Sequence, residues 1–269
     1  MLKRIIISFS VLFIFTNLTF AKPRRIISTM PSITEILFAL NLGDRVVGVT
    51  QNCNYPPEAL KKEKIGRENL NLEKIVSLKP DLIIMLEDAQ KREMDKLKDH
   101  GFPVLAVNPH TISEVMDSIG RIGSATGSTN EASKIISNMK QKISAIEAGS
   151  FFEKKKTAFL AVGYLPLIGA GGHTFINDVI QAAGGKNILE NLSSPYPEIN
   201  FEDLYHLNPS YIIFPRGVIS EKEMLNDPRW SRLEAVKNGK ILFIDPDILF
   251  RPGPRIVSAI EEISKFLRK

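Results

Sequence analysis

The chain repeats itself, and the repeat limits what it can fold into. Asn71-Leu-Glu-Lys-Ile-Val-Ser-Leu-Lys-Pro-Asp-Leu-Ile-Ile84 and Asn200-Phe-Glu-Asp-Leu-Tyr-His-Leu-Asn-Pro-Ser-Tyr-Ile-Ile213 share Asn, Glu, Leu, Pro, Ile and Ile in register. Each reads as a short helix capped by asparagine, stopped before a proline and followed by a strand. Between them lies a long helical pattern, Ser128 to Gly149. Ser128 and Glu131 are spaced as a capping box, and Ala132, Ile135, Ile136, Met139, Ile143 and Ile146 form one apolar stripe. Gly149 is expected to end it. Such a helix spans roughly 30 Å, about the width of a small domain. The alternative is an ordinary core helix between two common helix–turn–strand units that match by chance. Self-similarity on both sides of a capped helix favours two similar lobes joined by one strut.

The rest of the chain alternates strand and helix. Arg25–Ser28, Val46–Val49, Leu82–Met85 and Val104–Val107 read as strands before the strut. Ser32 and Glu35 read as a second capping box, for a helix with the face Ile33, Ile36, Leu37 and Leu40 that Gly43 stops. Thr111 and Glu114 form a third, for a helix running to Gly127. After the strut, Thr157–Val162, Tyr211–Phe214 and Ile241–Ile244 are expected strands, Gly163–Gly172 a glycine-rich loop and Phe175–Ala183 a helix. This order predicts the α/β class, two Rossmann-like lobes with parallel sheets. The boundaries expected are 1–21 for a leader, 22–127 for the first lobe, 128–149 for the linking helix and 150–269 for the second lobe. In parallel α/β sheets, ligand-contacting loops sit at the carboxyl ends of the strands.

Residues 1–21 have the form of a secretory signal peptide. Lys3 and Arg4 precede an apolar run from Ile5 to Phe15, and Thr19-Phe20-Ala21 offers a cleavage site. The apolar run is short for a bilayer span. Two of the five net positive charges belong to this leader, so +3 remains, too little to argue for nucleic acid. Cys53 is the single cysteine, which excludes an internal disulfide and leaves no lipid acceptor at the cleavage point. The expectation is an unlipidated, monomeric protein of the periplasm, cleaved near Ala21.

These segments carry a family resemblance. Arg25-Ile-Ile-Ser28 with Pro31-Ser-x-Thr-Glu35, Val46-Val-Gly-Val49, Tyr55-Pro-Pro57, the Asn71 and Leu78 repeat segments, and Arg251-Pro-Gly-Pro-Arg255 resemble the helical-backbone class (class III) of periplasmic substrate-binding proteins. That class serves ABC importers of vitamin B12, ferric siderophores and haem. The resemblance covers nearly the whole mature chain and leans to the vitamin B12-binding branch. It implies a ligand cleft between the lobes, a permease dimer of the inner membrane as partner, and no catalysis. The expected ligand is a corrinoid, with haem or a ferric siderophore as the alternative. No cofactor is implied beyond that metal-containing macrocycle or chelate.

The resemblance also suggests site residues. Arg251 matches a cleft arginine of the vitamin B12-binding branch, and Tyr196 matches an aromatic that is tryptophan there. Asn52 stands where that branch has a tyrosine, Arg67 lies near a tryptophan position, and Leu86 replaces another. The expected ligand-binding set is Asn52, Tyr55, Arg67, Tyr164, Tyr196, Arg216, Phe250 and Arg251. With Arg67, Arg216 and Arg251 the cleft reads as more cationic and less aromatic than in that branch, leaning towards an anionic or amide-rich ligand. Glu73 and Glu202, at one position of the two repeats, match the acids that dock onto permease arginines. Their bland reading is a first-turn acid complementing a helix dipole.

Among the histidines, His100 is expected to be solvated and His206 to pack or cap. His110 or His173, like Tyr55 or Tyr164, is within the residue types that can ligate a haem iron. A bare zinc site would need more converging ligands, and Cys53 is read as a small buried residue. Gly169-Ala-Gly-Gly-His-Thr174 before a helix is the one enzyme-like feature, a possible phosphate cradle. It lacks the lysine of a phosphate-binding loop and the spacing of a dinucleotide fingerprint.

Overall fold

Parallel strand pairing organises both halves of the computed structural model, which describes residues 22–67, 69–150 and 155–269. The expected leader lies outside these residues. In the first half, β1 (Ile26–Ser28), β2 (Val46–Val49), β3 (Glu63–Lys64), β4 (Leu82–Leu86) and β5 (Val104–Val107) form one sheet in the order β3-β2-β1-β4-β5, parallel throughout. In the second, β6 (Lys156–Gly163) pairs in parallel with β8 (Gly185–Asn187) on one side and β9 (Tyr211–Pro215) on the other, and β10 (Ile241–Ile244) pairs with β9. The halves therefore match over four parallel strands, with β2 and β8 in equivalent places. β1 and β6 are central, and the repeat strands β4 and β9 lie beside them, followed by β5 and β10.

The repeat is structural. Helices α2 (Leu72–Ser77) and α7 (Phe201–Leu207) each begin at an asparagine whose side chain accepts a backbone N–H three residues on, Lys74 for Asn71 and Asp203 for Asn200. Each ends in a left-handed residue just before its proline, Lys79 at φ 45° and Asn208 at φ 37°.

Between the halves runs α5 (Thr129–Ser150). It follows α4 (Ile112–Thr126), whose Thr111–Glu114 capping box is formed as expected and which Gly127 closes at φ 71°. A left-handed residue there suits glycine, which has no Cβ to clash. Contrary to expectation, Gly149 does not end α5. The helix continues through it, and the Arg268 guanidinium lies close over Gly149 and donates to the Ile146 carbonyl. Ala132, Met139 and Ile143 are buried in one core that continues into both lobes, from Ile26 and Ile122 to Leu160 and Ile260. The linking helix is thus part of the core rather than an exposed rod. Each lobe keeps a smaller cluster on its far side, around Ile83 and Met94 in the first and Phe214 and Trp230 in the second.

Three other expectations are corrected. Helix α1 (Pro31–Ala39) starts one residue earlier than its supposed cap. Met30 is the N-cap and proline occupies the first turn, so Ser32 and Glu35 are buried inside the helix and form no box. Asn41, at φ 59°, makes the turn after α1, and Gly43 instead opens a short 3-10 segment. The glycine-rich stretch is not a loop throughout. Ile168–Gly169 form β7, antiparallel to β6. A Cβ on Gly171 or Gly172 would stand 2.3 Å from the Ser194 carbonyl oxygen or 1.8 Å from that of Glu190. These glycines serve close backbone packing, and Thr174 caps α6 (Phe175–Ala182) with its own hydroxyl, so the phosphate-cradle reading loses its basis.

Candidate functional site in the interlobe cleft

At the carboxyl ends of β1, β2 and β4 the first lobe presents buried polar groups. The Ser28 hydroxyl lies 2.7 Å from that of Thr34, which in turn donates to Cys53 Sγ at 3.1 Å; Thr50 Oγ1 is also 3.1 Å from that sulfur. Cys53 is fully buried, as its bland reading held. The Thr29 hydroxyl donates to Gln90 Oε1 at 2.5 Å. Gln90 lies inside α3 (Glu87–Asp99), yet its backbone is non-helical at φ −134°, ψ 24°. That distortion turns the side chain inward and ties the start of α3 to the β1 loop.

Of these residues, Thr29, Thr50 and Gln90 line a cavity of about 380 Å³, with Ser28, Thr34 and Cys53 behind them. Thr29, Ser32, Thr50, Asn52, Arg67, Leu86 and Gln90 line it from the first lobe, and Phe250, Arg251 and Pro252 from the second. It occupies the place where parallel α/β sheets put ligands, and its size lies within the range of small-molecule sites. Among the described residues three larger hollows lie elsewhere. One of about 780 Å³ sits behind α5, near Lys140 and Asp178, one of about 660 Å³ lies outside the α1–Arg255 contact, and one of about 430 Å³ lies along α5 at Ser133 and Gln141. None is lined by the residues that directly follow β1, β2 and β4, so the smaller cavity is the candidate site.

Of the expected ligand-binding residues, Asn52, Arg67, Phe250 and Arg251 come together here. Arg67 Nε donates to Asn52 Oδ1 at 3.2 Å. Arg251 is not the free guanidinium anticipated. Its Nη1 donates to Glu35 Oε1 at 2.9 Å and Asn54 Oδ1 at 2.7 Å, and its Nη2 lies 2.6 Å from Asp247 Oδ1. Arg255 adds two bonds to the same Glu35, at 2.8 and 2.6 Å. The Glu35 side chain is 1% exposed and that of Arg251 12%. Two arginines and two carboxylates thus neutralise one another across the lobes. The bond to Glu35 is also the main reason the Arg255 pKa is raised.

The other candidates stand apart from the cavity lining. The Tyr55 ring lies under the Arg255 guanidinium at 3.8 Å and borders the outer hollow, a cation–π contact. The Tyr164 hydroxyl donates to Asp227 at 3.1 Å, with its ring 6.3 Å from that of Trp230 in its own lobe. Arg216 donates to the Phe243 carbonyl at 3.0 Å and sits 3.9 Å from Glu262. The cationic cleft expected from three arginines therefore reduces to Arg67. Tyr196 is 49% exposed on a segment pinned to the β7 hairpin by Gly171 N–H to Pro195 O and Gly169 N–H to Pro197 O bonds. Glu73 and Glu202 are exposed in the first turns of α2 and α7. His110 lies 3.2 Å from Asp88 and 3.1 Å from the Asn108 amide, and His206 is exposed rather than packed. Among the described residues no group of three or more His, Cys, Asp or Glu is arranged to hold a metal ion.

Residues 26–248 match the sequence profile described as periplasmic binding protein, which covers both lobes and the helix between them. The chain belongs to this family. Its members are binding components of transport systems, and this periplasmic binding protein is not an enzyme. The uncharacterized ABC transporter substrate-binding lipoprotein YvrC of Bacillus subtilis is 36% identical over 252 residues, 91% of this chain and 80% of that protein. The crystal structure of the periplasmic vitamin B12-binding protein of Vibrio cholerae superposes with a TM-score of 0.82 at 29% identity, covering 92% of this chain and 97% of that one. A Staphylococcus epidermidis structure, described as a possible iron-binding periplasmic solute-binding protein, gives 0.83 at 30%, covering 93% and 100%.

Sequence reasoning placed Thr29, Thr50, Asn54, Asp247 and Arg255 in the strand-end loops Ser28–Pro31, Thr50–Tyr55 and Asp245–Arg255 without singling them out, and it missed Ser32, Glu35 and Gln90 as site residues. Glu35 and Arg255 lie in quoted motifs, but Glu35 had a sufficient local explanation as a capping residue. Only the fold brings residues 35 and 251 together.

Proposed function

We propose that this periplasmic binding protein captures a corrinoid of the vitamin B12 type in the interlobe cleft and delivers it to the permease dimer of an ABC importer. The carrying observation is the cavity at the strand carboxyl ends, shared by both lobes and lined by hydrogen-bonding groups around one aromatic, Phe250. Similarity to the vitamin B12-binding protein of Vibrio cholerae over most of both chains supports the choice of ligand. Amide-rich side chains of a corrinoid complement Asn52, Thr50 and Arg67. Tyr196, half-exposed on its pinned segment, is the proposed stacking platform from the second lobe. Glu73 and Glu202 are the proposed docking acids, one per lobe.

A second reading, a ferric chelate such as a siderophore or haem, is favoured by one feature. The cleft floor has arginine at 67 and asparagine at 52 rather than a wall of aromatics. The proposed location is the periplasm. Among the described residues no helix is long and apolar enough to cross a membrane, and Cys53 is too buried to carry a lipid.

Absorbance and calorimetric titration of the purified protein with cyanocobalamin, haemin and a ferric hydroxamate tests the reading. The expected outcome is one cyanocobalamin per chain, with Arg67→Ala and Tyr196→Ala each weakening binding about tenfold, the scale of one or two lost polar or stacking contacts. Tight binding of haemin or the ferric chelate alone moves the protein to the second reading.

A further inference from the structure

Glu35 has no place in the ligand-binding reading, yet it is among the most heavily bonded side chains in the molecule. It sits on the buried face of α1 and accepts three bonds, one from Arg251 and two from Arg255. Both arginines belong to the other lobe. Arg251 and Asp247 also both reach Asn54, whose amide donates to Asp247 Oδ2 at 2.9 Å. Arg255 is stacked on Tyr55. Glu35, Asn54 and Tyr55 of the first lobe thus hold Asp247, Arg251 and Arg255 of the second through a closed polar cluster. The segment it holds is Phe250–Pro252, the second-lobe wall of the cleft.

A buried ion cluster of this kind adds little net stability, because the desolvation of its charges offsets their attraction. Its bonds are directional and charge-assisted, however, so it fixes geometry in a way an apolar contact does not. It also lies between two cavities. Arg251 borders the cleft and Arg255 the outer hollow, with Glu35 bridging them.

We infer that Glu35 is a positioning residue for ligand retention. Through Arg251 and Arg255 it clasps the two lobes at the loop that walls the cleft, and the exposed Asn54–Asp247 bond is the outer part of that clasp. This rests on the interlobe-cleft reading above. The clasp predicts its effect in dissociation rather than association, since contacts formed after encounter act mainly on the off-rate.

The test uses the full mature chain with nitroxide labels at Lys91→Cys in α3 and Glu221→Cys in α8 (Glu221–Asn226), exposed positions on opposite lobes. Cys53 is buried and stays unlabelled. Pulsed-dipolar distances are measured in otherwise wild-type protein, Glu35→Gln, Glu35→Asp and Asn54→Ala. In parallel, cyanocobalamin, haemin and a ferric hydroxamate are chased from each variant. Glu35→Gln is expected to broaden the interlobe distance distribution and to speed release of the bound chelate about tenfold with little change in association. Glu35→Asp, which keeps the charge, should restore a narrow distribution in part, and Asn54→Ala should give a smaller change in the same direction. Should Glu35→Gln fail to fold, Asn54→Ala decides, because its side chain is exposed and its loss spares the lobe cores. A distance distribution unchanged from wild type in the folded variants overturns the clasp. If wild type binds none of the three chelates, the functional reading fails, while the distance measurement still decides the clasp.

Discussion

Single side chains here are explained by what they neutralise. Asp227 is held down to about 2, chiefly by the hydrogen bond from Arg229 and further by Tyr164. A carboxyl depressed from its ordinary 3.8 contributes stability that is complete above that value and is lost as pH falls through about 2. We therefore predict that Asp227→Asn destabilises the protein at neutral pH. Its deficit against wild type should shrink steadily between about pH 4 and pH 2 when melting temperatures are compared. A deficit that stays constant over that window would show that the pairing with Arg229 is not its source. Asp178 behaves in the opposite sense. Burial raises its pKa, while the Ile112 N–H donated to it opposes the shift. A raised carboxyl is a cost when ionised, so Asp178→Asn, which keeps an acceptor for that N–H, should stabilise the protein at pH 7. The gain should vanish as the pH falls below the ordinary aspartate value. Chemical denaturation of the pair at both pH values checks this.

At the scale of elements, the two halves solve one problem twice. α2 and α7 are too short to persist alone and depend on caps and packing. Removing the cap by Asn71→Ala or Asn200→Ala should cost about 1 kcal/mol each in urea unfolding. The two helix ends differ in chemistry. Lys79 adopts a left-handed conformation at a cost of roughly 1–2 kcal/mol, whereas asparagine tolerates it by local hydrogen bonding. Lys79→Gly is therefore expected to stabilise by about 0.5–1 kcal/mol, after glycine's greater freedom in the unfolded chain is set against the relieved strain. Asn208→Gly should be nearly neutral. Equal gains at both sites would mean that the left-handed turn is not strained at Lys79. The capping motifs teach a related lesson. Thr111–Glu114 forms its box, and the glutamate's other partner is the neighbouring His110 N–H at 2.6 Å, which leaves the box intact. Ser32–Glu35 has the same spacing, but Pro31 moves the helix start to Met30 and Glu35 is taken by two arginines from the other lobe.

The whole molecule joins these elements through α5, whose apolar stripe is buried in a core shared by both lobes. Ligand capture and permease docking then occupy different faces under the proposed reading. Glu73→Lys with Glu202→Lys should change folding stability by no more than about 0.5 kcal/mol per site, as for surface substitutions generally. Ligand affinity should stay nearly intact, since neither residue lines the cleft. Docking, which meets like charges, should weaken by at least about 2 kcal/mol. Co-sedimentation with permease vesicles, paired with ligand titration of the same protein, measures both. Normal docking removes these acids from the interface, and lost ligand affinity would place them on the cleft side.

What the sequence determined by itself was whatever rests on neighbours along the chain. Asn71 and Asn200 cap, Thr111 and Glu114 close their box and Gly127 turns, because the partners lie within a few residues. The strand–helix alternation led to parallel sheets for the same reason, since a crossover helix between strands forces that order. The stripe of α5 was visible as periodicity, although its role in one core shared by both lobes was not. The tertiary structure alone decided the cleft's chemistry. Arg251 read as a cleft cation until the fold brought Glu35 to 2.9 Å from it, across 216 residues of chain, with Arg255 on the same carboxylate. Tyr55 and Tyr164 read as ligand contacts until Arg255 covered one and Asp227 held the other. A charge announces its residue type in sequence, but whether it faces a ligand or a counter-charge depends on distances that only packing sets.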